Sequence, residues 1–124
     1  MIYLDTHIVV WLFEGNKKKF SKKAHHLMNE EDLKISPIVR LELAYLENKG
    51  ITTLPARSVI QYLQNNIGLT VCDKPFDEVM KMAEDLAWTK DPFDRIIVSH
   101  AALSESLLIT KDNIILQHYP NAVW

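Results

Sequence analysis

Ile2-Tyr3-Leu4-Asp5-Thr6-His7-Ile8-Val9-Val10-Trp11-Leu12-Phe13-Glu14 decides the architecture. Three apolar residues form a short strand of the kind that is buried on both faces. An acid breaks the run. Thr6 to Glu14 then carries the density of large apolar side chains expected of a helix, and Gly15-Asn16 stops it. A strand followed closely by an acid recurs at Leu107-Leu108-Ile109-Thr110-Lys111-Asp112.

Between these two segments, helices and strands alternate. Phe20 to Glu31 reads as a second helix, with Ala24, Leu27 and Met28 at helical spacing, and Leu33 to Ile35 as a second strand. Ser36-Pro37 opens a helix that runs to about Lys49, where Gly50 ends it. Further helices are expected over about Ala56 to Asn66, Pro75 to Ala87 and Asp91 to Glu105, with a strand at Leu69 to Cys72. Ala122-Val123-Trp124 is expected as a fifth, edge strand. This alternation predicts an α/β domain over residues 1–124, with a central, mainly parallel sheet of four to five short strands.

Composition narrows the function classes. A hydrophobic fraction of 48% in 124 residues suits one globular core. The single cysteine, Cys72, excludes an intramolecular disulfide and fits a reducing compartment. No basic leader with a long apolar segment is present, and the apolar run Ile8 to Phe13 is far short of the roughly 20 residues that span a bilayer. A soluble, cytoplasmic protein without a membrane partner is expected. Net charge is only −2, but Lys17, Lys18, Lys19, Lys22 and Lys23 crowd into seven positions, a solvated loop or a patch for RNA phosphates. Three glycines leave no phosphate-binding loop.

Four acids stand out: Asp5 and Asp112 after strands, Glu42 and Asp94 inside apolar helical stretches. Carboxylates facing the interior are paired or bind a cation. In a parallel α/β sheet, sites form at the carboxyl ends of strands, where Asp5 and Asp112 fall. Ile38, Val39, Tyr45 and Leu46 turn Glu42 toward the protein, and Ile97 and Val98 do the same for Asp94. Like charges near 4 Å repel by about 1 kcal/mol in water and about 4 kcal/mol at an effective dielectric of 20. A divalent ion relieves this. Hard oxygen donors without a cysteine or dense histidine set favour Mg²⁺ or Mn²⁺. Asp91, in Asp91-Pro92-Phe93-Asp94, reads first as a helix N-cap that can also pair with Arg95. His7 reads first as a packed side chain, and His25, His26, His100 and His118 share no metal-ligand spacing with it.

Taken in order, Tyr3-Leu4-Asp5-Thr6-His7, Leu41-Glu42-Leu43-Ala44, Asp91 to Ala101 and Leu108-Ile109-Thr110-Lys111-Asp112 resemble the PIN domain, and within it the VapC-type toxins of toxin–antitoxin pairs. The resemblance implies a three-layer α/β/α fold and a metal-dependent endoribonuclease. Its acidic quartet falls on Asp5, Glu42, Asp94 and Asp112 as catalytic and metal-binding residues. Asp91 is implied as an auxiliary acid, and Thr6 and Thr110 as supporting hydroxyls. It further implies a homodimer and a small antitoxin, for which Trp11, Leu12 and Phe13 offer apolar surface. A related nuclease of RNA maturation, without antitoxin, is the near alternative. The distant one is a phosphoacceptor receiver module using Asp73 and Lys111, which gives Glu42 and Asp94 no task.

Overall fold

The computed structural model describes residues 1–124. Its elements are β1 (Ile2–Leu4), α1 (Thr6–Glu14), a 3₁₀ turn (Lys17–Lys19), α2 (Lys22–Glu30), β2 (Leu33–Ile35), α3 (Ile38–Asn48), α4 (Ala56–Ile67), β3 (Thr70–Val71), α5 (Phe76–Glu84), α6 (Pro92–Ala102), β4 (Leu107–Ile109), α7 (Asn113–His118) and β5 (Ala122–Val123). The strands form one five-stranded sheet in the order β3-β2-β1-β4-β5, and every pair is parallel. From β1 the chain steps outward through β2 and β3, then returns to the other side of β1 for β4 and β5. The reversal leaves a crevice between the carboxyl ends of β1 and β4, where Leu4 pairs with Ile109.

Ile2, Tyr3 and Leu4 are all fully buried although alternate residues point to opposite faces of the sheet. Both faces are therefore covered, which makes the molecule a three-layer α/β/α fold. No helix is long and apolar enough to cross a membrane.

Local chemistry sets the boundaries. Ser21 caps α2 by accepting the Ala24 N–H, so this helix starts after Phe20, which closes the 3₁₀ turn instead. Ser36 Oγ accepts the Ile38 N–H at 3.2 Å while Pro37 already has helical angles, the expected opening of α3. Gly15 and Gly68 end α1 and α4 in the left-handed conformation, with φ of 68° at each. The expected helices over Pro75 to Ala87 and Asp91 to Glu105 close earlier, at Glu84 and Ala102. The short α7 was not anticipated: Asp112-Asn113 reads as a turn, but Asp112 is the N-cap of a six-residue helix.

A polar knot lies within the fold. The buried Tyr3 hydroxyl donates to Cys72 Sγ at 3.1 Å and accepts from Lys74 Nζ at 2.5 Å, and Lys74 also reaches Ser104 Oγ at 3.1 Å. Burial and the neighbouring thiol push the Tyr3 phenol up, out of reach of ionisation at neutral pH.

Candidate active site

Asp5 anchors the site. Its N–H completes the β1–β4 edge by donating to the Ile109 carbonyl at 3.0 Å. Its carboxylate is only 4% exposed yet fully engaged: Oδ1 accepts the Thr6 N–H at 2.7 Å and Oδ2 accepts the Thr110 hydroxyl at 2.7 Å. Thr110 Oγ1 also accepts the Asp112 N–H at 3.0 Å, so one hydroxyl joins two acids. The Thr6 hydroxyl donates to Glu42 Oε1, tying α3 to the start of α1. Both threonines are buried, which suits hydroxyls that orient carboxylates rather than meet solvent.

Asp91 keeps the helix-capping role its local sequence suggests, and Asp112 takes the same role at the start of α7. Asp91 Oδ1 accepts from the N–H groups of Phe93 and Asp94, and Asp112 Oδ1 from those of Ile114 and Ile115. In each case one oxygen serves the helix. The expected Asp91–Arg95 pair does not form, because Arg95 Nε turns to the Thr89 carbonyl at 2.7 Å. The capping position is what holds these two acids at the rim of the cleft: a helix N-terminus fixes its cap residue and favours negative charge.

Asp5, Thr6, Glu42, Asp91, Asp94 and Asp112 line one open cleft of about 510 Å³. Thr110 supports it from below through Asp5 and Asp112. No ion pair of the chain involves Glu42, Asp91, Asp94 or Asp112. The electrostatic cost of this crowding falls on the two helix-borne acids. Burial, then the charges of Asp5, Asp91, Asp112 and Glu42, push the Asp94 carboxyl up to about 8. Burial pushes Glu42 up to about 7, against the stabilising Thr6 hydrogen bond. No hydrogen bond relieves Asp94; everything acting on it raises it.

No three of the His, Cys, Asp and Glu side chains stand together as a ready-made ligand cluster. Asp5 and Glu42 are held by hydroxyls, and Asp91 and Asp112 by helix N-termini. The donor set nonetheless fits a hard divalent cation, being all oxygen, acidic and without a neutralising lysine or arginine partner.

His7, which by sequence follows Asp5 closely but reads first as a packed side chain, lines the cleft as well. Burial holds its imidazole below the ordinary value against the pull of Asp5 and Asp112. Its Nε2 accepts the Lys111 N–H at 2.9 Å, which leaves the proton of the neutral ring on Nδ1, 3.7 Å from Asp5 Oδ2. The five lysines do not all line one cleft. Lys19 lines the acidic cleft, whereas Lys17 and Lys22 flank a separate groove with His25 and His26. Asp73, the acid a receiver module would need, is exposed and absent from the cleft lining.

This crevice, built at the strand reversal of a small parallel sheet and lined by acids from four separate segments, is the arrangement of a nuclease of the PIN class. The PIN domain family matches residues 2–120, and the chain belongs to that family. Among solved structures it resembles VapBC2 from Rickettsia felis bound to a promoter DNA fragment, at 24% identity, covering 99% of this chain and 96% of that one, with a TM-score of 0.67. It also resembles a toxin–antitoxin complex from Klebsiella pneumoniae, at 19% identity over 100% and 97% of the two chains and a TM-score of 0.69. A third relative is VapBC-1 from nontypeable Haemophilus influenzae, at 21% identity over 100% and 96% and a TM-score of 0.65. No curated protein matches.

Proposed function

We propose that this chain is a Mg²⁺- or Mn²⁺-dependent endoribonuclease and the toxin of a toxin–antitoxin pair. One observation carries the reading: four carboxylates share a cleft with no basic partner, and two of them are pushed up to about 7 and about 8. Crowded oxygen donors without a lysine or arginine ion pair suit a hard divalent cation, which would relieve their mutual repulsion.

Asp5, Glu42, Asp94 and Asp112 would hold the cation. A divalent ion there supplies an activated water and stabilises charge developing on a phosphodiester. The chain contributes the rest. The Thr6 and Thr110 hydroxyls fix Asp5 and Glu42. Asp91 adds negative charge at the rim and holds the first turn of α6, which carries Asp94. His7, kept neutral by burial and oriented by the Lys111 N–H, presents its Nδ1 side to Asp5 and adds no positive charge to the cleft. The five lysines are offered as phosphate contacts, with Lys19 nearest the chemistry.

The toxin role is supported by the fold shared with three toxin–antitoxin structures. An inhibitor of such a cleft needs a basic side chain, best an arginine for its bidentate grip on carboxylates. It also needs an apolar segment, for which Phe13 and the 49%-exposed Tyr62, in contact at 5.3 Å, offer a seat between α1 and α4. A homodimer and a single domain over residues 1–124 complete the proposal.

The test is cleavage of RNA in Mg²⁺ by folded variants. Asp5→Asn, Glu42→Gln, Asp94→Asn and Asp112→Asn are each expected to lose about 100-fold or more, the scale of removing one preorganised electrostatic group. Asp91→Asn is expected to lose less. Normal cleavage by Asp94→Asn refutes the site. Recovery of no small partner from the native host, with harmless overexpression, favours an RNA-maturation role instead.

A further inference from the structure

Acids dominate the charged lining of the cleft. Among its lining residues Lys19 is the sole lysine or arginine, and Trp11 the sole tryptophan, tyrosine or phenylalanine. The two are neighbours: Lys19 Nζ lies 5.1 Å from the centre of the Trp11 ring. A second ammonium, Lys111 Nζ, lies 5.9 Å from Trp11 and 5.8 Å from Trp124. Neither lysine is engaged by a carboxylate.

Trp11 is braced from several directions but not stacked. His7, Phe20 and Trp124 meet it at 5.1, 6.1 and 6.0 Å, with ring planes inclined at 61°, 63° and 65°. Its indole is half-buried, so part of a large π surface opens on the cleft. A rigid aromatic ring, flanked by mobile cations and without a parallel partner, has the composition that binds unpaired nucleotides: the base stacks on the ring and the cations take its phosphates.

We propose that Trp11, flanked by Lys19 and Lys111, is the seat for an unpaired base adjoining the phosphate that is cut. The inference rests on the ribonuclease reading and adds to it one base-binding subsite. An ammonium near a half-buried, solvent-facing indole interacts more weakly than a stacked base does, so a base displaces it. The displaced lysine stays beside the phosphates of that nucleotide. The seat is also coupled to the acids. Trp11 rides on α1, one turn beyond the Asp5-Thr6-His7 segment, and the Lys111 N–H bonded to His7 lies next to Asp112. Base position and reacting phosphate are thus held in a fixed relation. A base inside a duplex is already stacked and cannot enter.

The experiment compares the wild type, Trp11→Leu, Trp11→Phe and Lys19→Met, each checked for folding by circular dichroism. Substrates are short single-stranded oligoribonucleotides carrying one abasic position at successive sites around the cut. For the wild type, one abasic position beside the cut is expected to reduce kcat/KM about tenfold, the scale of one lost base–aromatic stack. Trp11→Leu is expected to lose the same factor on intact RNA, mainly through KM, and to ignore that abasic position. Trp11→Phe keeps a ring and should keep most of the penalty. Lys19→Met should flatten the salt dependence of binding by about 0.7 in log–log slope. An abasic penalty identical in the wild type and Trp11→Leu overturns the seat and leaves the nuclease intact. If the wild type cuts no RNA, the nuclease reading falls; the seat then survives only if single-stranded RNA quenches the tryptophan fluorescence of the wild type and not of Trp11→Leu. Quenching by a small protein inhibitor but not by RNA assigns the surface to that partner and overturns the proposal.

Discussion

Asp94→Asn should make the metal-free protein more stable while abolishing its cleavage. In the folded chain the Asp94 carboxyl is raised from 3.8 to about 8 by burial and by four neighbouring acids. A carboxyl raised in the native state stabilises the fold while it is protonated, and that stability is lost as pH rises toward the folded value. Between about pH 4 and pH 8 the unfolded chain releases the proton and the native chain retains it, so stability falls with pH; above about 8 the loss is complete. Four units correspond nominally to about 6 kcal/mol at about 1.4 kcal/mol per unit. Asp94 is only half-buried, and solvent screening reduces this to about 2–3 kcal/mol. Asparagine fills the same space, and since no hydrogen bond contributes to the Asp94 shift, the substitution forfeits none. Thermal unfolding in EDTA at pH 8.5 should therefore show Asp94→Asn melting roughly 10 °C above the wild type, with most of the gain gone at pH 5. Excess Mg²⁺ should reverse the order, because only the wild type keeps the full ligand set. A variant destabilised at pH 8.5, or a difference that does not depend on pH, would refute the picture of a cleft strained by its own charge.

Two further outcomes follow from the same cleft. Mg²⁺ at a hundred times its dissociation constant should stabilise the wild type by about 2.7 kcal/mol, and Asp5→Asn far less; calorimetry should also show affinity rising from pH 6 to pH 9, as the ion displaces protons from Glu42 and Asp94. Thr110→Val removes the hydroxyl that joins Asp5 to Asp112, so it should cost about 1–3 kcal/mol in urea unfolding and weaken metal binding by about 10- to 100-fold; unchanged Mg²⁺ affinity would show that Asp5 needs no such support.

The sequence and the structure agree where a signal is local and strong. β1 and α1 are legible because an apolar triplet, an acid and a dense apolar helix adjoin without a gap. Glu42 and Asp94 are legible because helical periodicity shows which side of a helix is apolar, and the structure places both in the cleft. What escaped notice depends on distance or on small local preferences. α7 has only six residues, too short for periodicity, and its Asp112-Asn113 start looks like a turn. For His7 the sequence leaves a packed residue and a cleft-lining one both open, because the Lys111 N–H that orients it depends on the β1–β4 pairing. The lysine run reads as a solvated loop or a phosphate patch, but Ser21 starts a new helix in its middle, and Lys19 and Lys22 line different grooves. Tyr3, Cys72 and Lys74 form a bonded group that no spacing could reveal, since 69 and 71 positions separate the partners.

The wiring of the sheet also governs timing. Thr110 donates to Asp5 across 105 positions of chain, and β1 gains its second neighbour only when β4 arrives. A ribosome making this protein therefore exposes the first carboxylate long before it makes the strand and hydroxyl that orient it, and Asp112 comes later still. Until that stretch has emerged and folded, the nascent polypeptide holds a partial set of acids and no crevice. If the substrate is RNA, the chain is born in contact with the molecules it destroys, and the late closure of β1 against β4 keeps it harmless to the machinery translating it.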